Sequence, residues 1–380
     1  MHTEFYNLQE DPFRLTSDPR FFYLAEPHRL ALTTFLETVM RHKGFLVMSG
    51  PIGTGKTTVL HAGLQILTER AATGSPLASA FILDPMLSRQ ELLEMILAEF
   101  EVPCTSTSKP ARLAALHRML LDMQRRGGTS VLIIDEAHLL SPELLEEIRL
   151  LSNADTHHEK LIQIVLCGQP ELLPILQRPE LRALRQRIAG SCSLRPLSRS
   201  EMCAYIAERL YTAGFRGSNL PFPAATLEDI YRYSQGVPRL INLLCDSCLT
   251  IGCKTGRPQI QKDIVEEAAV QLGLDETQSQ FQPQAQPQPP PQAQPRPQSP
   301  PLVQSQPVAE VAGDLMPVRS NNGGNFANPT IVHSTVNVLI ERIVVPVSSA
   351  QSGRSTNDAV NSTVDVLIQT MKRRLTSATE

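Results

Sequence analysis

Between residues 44 and 197 the chain alternates short unbroken apolar runs with longer stretches whose apolar positions recur every three or four residues. GFLVMS (44–49), ASAFILD (78–84), TSVLIIDEAH (129–138), LIQIVLCGQ (161–169) and SCSLRPL (191–197) read as strands. TTVLHAGLQILTER, SRQELLEMILAEF, ARLAALHRMLLDMQRR and SPELLEEIRLLSN have helical spacing. Ser88 with Glu91 predicts a capping box, and Ser141 before Pro142 predicts an N-cap followed by proline in the first turn. Continuous apolar strands separated by helices predict an α/β fold, a five-stranded parallel sheet with helices on both faces.

From Ser198 to about Leu274 the pattern becomes all-helical. SRSEMCAYIAERLYTAG, PAATLEDIYRYSQG, VPRLINLLCDSCLTIG and QIQKDIVEEAAVQLG are four helices of a small second domain. Gly214, Gly236 and Gly252 sit near three of their ends, where left-handed C-caps are common. The predicted division is 1–197 for the α/β domain with its N-terminal aromatic segment, 198–274 for the helical domain, 275–330 for a linker and 331–380 for short terminal segments. From Phe281 to Glu310, 19 of 30 residues are Pro or Gln. That composition cannot bury enough apolar surface to offset the entropy of ordering, so a disordered, semi-stiff tether is expected. Beyond it STVNVLIERI (334–343) is echoed by STVDVLIQTM (362–371), with the spacing of a short amphipathic helix or of a strand. The echo reads either as coincidence in a tail or as a pair of docking segments.

Composition narrows the class. The chain has 380 residues and a net charge of −3. Residues 1–275 carry 28 Lys+Arg against 31 Asp+Glu, and residues 276–380 carry 7 of each, so nothing global draws the protein to nucleic acid or to a membrane. No apolar run approaches the length of a membrane span, and MHTEFYNLQEDPF lacks the basic and apolar parts of a signal peptide. The seven cysteines fit a reducing, cytoplasmic setting. Cys245 and Cys248 form a lone CxxC inside a helical pattern, which reads as buried small residues rather than as a metal site. Six aromatics crowd the N-terminal segment (Phe5, Tyr6, Phe13, Phe21, Phe22 and Tyr23), and they are expected to pack it on the sheet domain.

The chemistry is concentrated at two places. Gly50-Pro51-Ile52-Gly53-Thr54-Gly55-Lys56-Thr57, followed by Thr58, is a phosphate-binding loop between a strand and a helix. Its glycines let backbone N–H groups turn onto phosphates, and the helix adds its positive end. Lys56 reaches the β- and γ-phosphates of ATP, and the Thr57 hydroxyl is a ligand for Mg²⁺. In VLIIDEAH, Asp135 ends a buried strand and would hold the metal through its water shell, while Glu136 would act as general base on the attacking water. Gln169 closes the next strand, where it either orients that water and senses the γ-phosphate or is a surface amide. The letters DEAH also name a helicase class, but no further helicase motif accompanies them.

Together, FYNLQEDPFRLTSDPRFFYLAEPHRLAL, the phosphate loop, VLIIDEAHLL, LLSN, KLIQIVLCGQPEL, LRALRQRI, LRPL and GVPRLIN resemble the general secretion pathway protein A (ExeA-like) family of AAA+ ATPases. The resemblance covers about 1–272. It implies a P-loop AAA+ sheet with a helical lid, and homo-oligomers that bind and hydrolyse ATP between subunits. It also implies roles for three arginines. Arg185 and Arg187 in LRALRQRI stand where such families carry an arginine finger, and Arg239 in GVPRLIN stands at the sensor-2 position. The N-terminal segment would wall the adenine pocket, with Phe13 and Tyr23 as candidates.

Family members of the secretion type continue into a membrane span and a peptidoglycan-binding domain, whereas here the lid leads to the Pro/Gln tether. The expected function is an ATPase acting as motor or switch, accessory to a secretion or envelope export system, with an unknown protein partner. Two alternatives stay open: a DNA-associated ATPase of the transposition-regulator type, which the charge balance does not favour, and a non-catalytic nucleotide-switched scaffold, against which Lys56, Asp135 and Glu136 argue together.

Overall fold

The computed structural model describes residues 2–274, apart from Ser17, Thr73, Asp84, Met86 and 154–158. The linker expected at 275–330 and the echoed segments of 331–380 lie outside the described residues. The helices are α1 (His2–Phe5), α2 (Glu26–Met40), α3 (Lys56–Ala71), α4 (Arg89–Glu99), α5 (Lys109–Arg125), α6 (Pro142–Leu151), α7 (Leu172–Leu176), α8 (Arg182–Arg185), α9 (Arg199–Thr212), α10 (Ala224–Ser234), α11 (Pro238–Lys254) and α12 (Lys262–Gln271). The strands are β1 (Phe45–Ser49), β2 (Leu77–Ile82), β3 (Thr129–Ile134), β4 (Gln163–Gly168) and β5 (Ile188–Ser193).

The five strands form one parallel sheet in the order β2-β3-β4-β1-β5. Side chains alternate between its faces, as strand geometry requires. Phe45, Val47, Leu132, Ile134, Ile164 and Leu166 join α4, α5 and α6 in one core. Leu46, Met48, Val131, Ile133, Val165 and Cys167 join α2 and α3 in a second. Both faces are buried, which is why these strands read as continuous apolar runs. The predicted caps form: Ser88 and Glu91 make both bonds of the capping box, and Ser141 Oγ accepts from the Leu144 N–H.

A third core holds α9 to α12. The N-terminal segment packs mainly here, contrary to the expectation that it covers the sheet. Tyr6, Leu8, Phe13 and Phe21 belong to the helical core, and only Phe22 of the N-terminal aromatics joins the core of α2, α3 and the sheet. The segment's polar atoms find partners on the turns that follow α9 and α11: Gln9 N–H donates to Ala213 O at 2.8 Å and Tyr6 Oη to Arg257 O at 3.2 Å. Phe5 stays exposed.

Two other boundaries differ. SCSLRPL enters the sheet three residues earlier than its apolar pattern suggests and leaves it after Ser193, where Leu194 N–H makes the last bond to Ser49 O at 2.7 Å. Pro196 has no N–H to continue the ladder. Gly214 (φ 94°) and Gly236 (φ 73°) take the expected left-handed conformation, but Gly252 lies within α11 and does not. There the lack of a side chain makes room for the Tyr6 hydroxyl, and the chain turns instead at Gly256 (φ 67°). Cys245 and Cys248 are wholly buried in the helical core, where burial pushes the Cys248 thiol up to about 12 and the Cys245 thiol well above its ordinary range.

Candidate functional site

The carboxyl ends of β1, β3 and β4 converge where an open parallel sheet presents its ligand crevice. The chain leaves β1 into Gly50–Gly55 and turns into α3 at Lys56. Gly53 (φ 77°) and Gly55 (φ 93°) adopt left-handed conformations that let the loop wrap tightly. A side chain at Gly53 would meet Arg239 Cβ at 2.9 Å, and one at Gly50 would meet Leu194 O at 2.7 Å. Thr54 is buried and donates its hydroxyl to Pro51 O at 2.8 Å, while Ile52 stands exposed at the loop tip. Lys56 is also buried, and its Nζ donates to Gly50 O at 2.9 Å and Pro51 O at 3.2 Å.

Asp135 follows β3 directly, its N–H tied to Ile82 O at 2.8 Å. The Thr57 hydroxyl donates to Asp135 Oδ2 at 2.7 Å, and Asp135 Oδ1 accepts from the Glu136 N–H at 2.9 Å. A hydroxyl and a buried carboxylate side by side are hard oxygen donors, the set Mg²⁺ selects, so Thr57 and Asp135 fit that ion. Glu136 takes a left-handed conformation (φ 50°). Its Oε2 is buried without a hydrogen-bond partner, although His138 Nδ1 lies 3.4 Å away. That Nδ1 accepts from the Gln169 N–H at 3.4 Å, so in the neutral ring it has no proton to give Glu136.

A cavity of about 360 Å³ runs from this point to the helical core. Gly53, Gly55, Lys56, Thr57, Thr58, Glu136 and Arg239 line it together with Phe21, Phe22, Tyr23, Tyr205, Arg209 and Asn242.

The family described as AAA domain matches residues 39–176. Over 273 residues, 72% of this chain, the sequence is 38% identical to general secretion pathway protein A of Aeromonas hydrophila, covering 48% of that protein. The chain belongs to the ExeA-like family of AAA+ proteins. It spans about half the length of that curated relative. The fold is that of the Drosophila ORC bound to DNA (TM-score 0.54, 17% identity, 72% of this chain and 66% of that one). It is also that of Cdc6p from Pyrobaculum aerophilum (TM-score 0.53, 18% identity, 70% and 71%).

The remaining candidates of this AAA+ chain divide by position. Arg239 sits in the first turn of α11 and lines the cavity, and its backbone N–H donates to Gly53 O at 3.2 Å, joining the helical part to the phosphate loop. Tyr23 lines the cavity; Phe13 does not, being buried against Phe222 with ring centroids 6.0 Å apart. Gln169 is half-buried and outside the cavity lining, linked to it through His138. Arg185 and Arg187 also lie outside. Arg185 is exposed, with one bond to Gln177 O at 3.1 Å. Arg187 is tied to the C-terminal end of α6 by bonds to Arg149 O (3.3 Å), Ser152 Oγ (2.5 Å) and Asn153 Oδ1 (2.5 Å).

Sequence reasoning missed His28, His138, Tyr205, Arg209 and Asn242. His28 is buried beside the loop, its Nε2 donating to Thr54 O at 2.8 Å and its Nδ1 without a partner. Burial lowers its pKa, so the ring is neutral. It lies in PHRLAL, where helical spacing assigns it only to a buried face. No spacing signal marks the other four as neighbours of the loop.

Proposed function

We propose that this chain binds Mg·ATP in the cavity and hydrolyses it. The observation that carries the reading is the 2.7 Å contact of Thr57 with Asp135 beside Lys56, with the unpaired Oε2 of Glu136 next to it. The N–H groups of Gly53 to Thr58 and the Lys56 ammonium hold the phosphates, and Thr57 and Asp135 hold the cation. The cation, when bound, neutralises phosphate charge. Glu136 Oε2 accepts the proton of the attacking water, with the left-handed turn at Glu136 keeping the carboxylate off its own strand. Gln169 and His138 act behind it as positioning residues. Such sites work mainly by positioning and charge stabilisation.

Arg239 couples the helical part, taken here as a lid of residues 198–274, to the γ-phosphate of a site in residues 1–197. Arg185 or Arg187 reaches the site of a neighbouring subunit, which makes the working unit a homo-oligomer. The A. hydrophila relative, by its name a general secretion pathway protein, supports a role as motor or switch of an envelope secretion or export system. Among the described residues no helix is long and apolar enough to cross a membrane, and we place this ATPase part in the cytoplasm.

The test is ATPase rate per subunit against protein concentration, with and without duplex DNA, for wild type and Glu136→Gln. A rate that rises with concentration and collapses in Glu136→Gln supports the reading. Wild-type turnover in Glu136→Gln removes the general base. Stimulation by DNA replaces the secretion role with a DNA-linked one.

A further inference from the structure

Arg209 on α9 is 6% exposed and makes no ion pair among the described residues. Its Nε donates to Pro12 O at 2.5 Å, its Nη2 to Arg14 O at 3.2 Å and its Nη1 to Tyr205 Oη at 2.8 Å. The rings of Phe21 and Tyr205 lie 5.0 and 5.5 Å from the guanidinium carbon.

A guanidinium can only donate. The Tyr205 oxygen therefore accepts from Arg209, and the phenol proton must go elsewhere. It goes to Asn242 Oδ1, 2.7 Å away. The opposite amide orientation would point an NH₂ at an oxygen already engaged by Arg209 and strand the phenol proton in a buried site, at the cost of an unmade hydrogen bond. The order of donors is thus set from one end. Asn242's carbonyl is used, and its NH₂ has no acceptor among the described residues.

Asn242 lines the cavity, one helical turn beyond Arg239. It shares the cavity lining with Phe21, Phe22 and Tyr23 as well as with the phosphate loop. A nucleotide whose phosphates occupy Gly53–Thr58 has the rest of this cavity, which Asn242 lines, for its base.

We infer that the Asn242 amide reads the nucleobase, donating to N1 or N7 of a purine ring, in an orientation set by Arg209 through Tyr205. The inference rests on the proposed ATP-binding reading and names the residue that selects the base. Arg209 is caged by the carbonyls of Pro12 and Arg14, so the N-terminal segment that precedes α2 also supports the base reader.

The test is equilibrium binding of ATP, 1-deaza-ATP and 7-deaza-ATP to the full chain in a Glu136→Gln background, so that ligand is not consumed. Each analogue replaces one ring nitrogen by a carbon that cannot accept. One of the two is expected to bind at least about ten-fold more weakly than ATP, the loss of one buried acceptor. Loss with 1-deaza-ATP assigns the adenine edge, where guanine carries N–H. Loss with 7-deaza-ATP assigns the edge common to both purines. Asn242→Asp, with no NH₂, should bind ATP more weakly and no longer distinguish that analogue from ATP. Tyr205→Phe keeps the ring but removes the relay, and it should reduce the discrimination even if Asn242→Asp fails to fold. Equal binding of all three nucleotides by the Glu136→Gln chain overturns the inference and leaves the proposed function standing. If that chain binds none of them, the proposed function itself fails.

Discussion

The hydroxyl of Thr57 and the carboxylate of Asp135, 78 residues apart in the chain, meet at 2.7 Å. One belongs to the first turn of α3 and the other follows β3, so the contact exists only because the sheet brings the ends of β1 and β3 to the same edge. Asp135→Asn preserves the shape and an oxygen acceptor for Thr57 but removes the charge. The expected outcome is an unchanged melting temperature without ligand and a Mg²⁺ requirement raised at least about ten-fold, equivalent to ~1.4 kcal/mol. Titrating ATPase activity with Mg²⁺ at fixed ATP checks it, and an unaltered midpoint would remove Asp135 from the cation site.

The two candidate finger arginines predict different phenotypes. Arg187 donates to Arg149 O, Ser152 Oγ and Asn153 Oδ1 at and just beyond the C-terminal end of α6. Arg187→Ala should therefore destabilise the isolated subunit by about 1–2 kcal/mol in urea unfolding. Arg185 makes one exposed bond, so Arg185→Ala should leave unfolding unchanged. Its effect belongs to assembled protein: a rate per subunit that no longer rises with concentration. If the concentration dependence survives Arg185→Ala and fails in Arg187→Ala, the finger is Arg187 and α6 contributes to the interface.

His28 predicts a pH effect with a definite sign. Burial lowers its pKa below the ordinary value near 6.5. Below that value the unfolded chain takes up a proton that the folded chain does not, so folding stability falls as the medium is acidified and is fully present above it. The limit is ~1.4 kcal/mol per pH unit for one proton. His28→Gln retains an N–H for Thr54 O and cannot titrate. Urea unfolding between pH 7.5 and pH 5 should show a difference between wild type and His28→Gln that shrinks toward acid. Parallel pH profiles would mean that His28 is not held neutral.

Phe13 carries the packing of the N-terminal segment. It is 1% exposed in the helical core and meets Phe222 edge to face. Phe13→Ala should cost about 3–5 kcal/mol of stability, the usual loss for a buried phenylalanine. Because Arg209 draws two acceptors from Pro12 and Arg14, the same variant should weaken ATP binding although residue 13 does not line the cavity. Denaturant unfolding and nucleotide titration on one preparation check both. Loss of stability with intact ATP affinity would separate the segment from the site.

The sheet and the phosphate loop were legible in the sequence because their signals are local: apolar runs, capping pairs and glycines at fixed offsets. Asp135 and Glu136 were legible for the same reason, as acids at the end of a buried run. The placement of the N-terminal segment was not. Its aromatics demand burial, but burial alone does not choose between two cores, and the choice rests on backbone partners such as Ala213 O and Arg257 O. β5 was misplaced because a strand containing Ala189 and Gly190 has a weak apolar pattern. The chain from Arg209 to Tyr205 to Asn242 was invisible because it joins two helices through polar atoms that no periodicity records.

Phe21 belongs to the helical core and Phe22 to the core of the sheet, though one peptide bond joins them. A second crossing lies between Leu194 and Leu197, which divide in the same way. The chain thus passes between the two cores twice, and the Arg239 N–H bond to Gly53 O adds a further tie. Phe21 and Phe22, at one of these passages, also line the cavity. What occupies the cavity therefore touches the molecule at the seam where one chain passes from one core into the other.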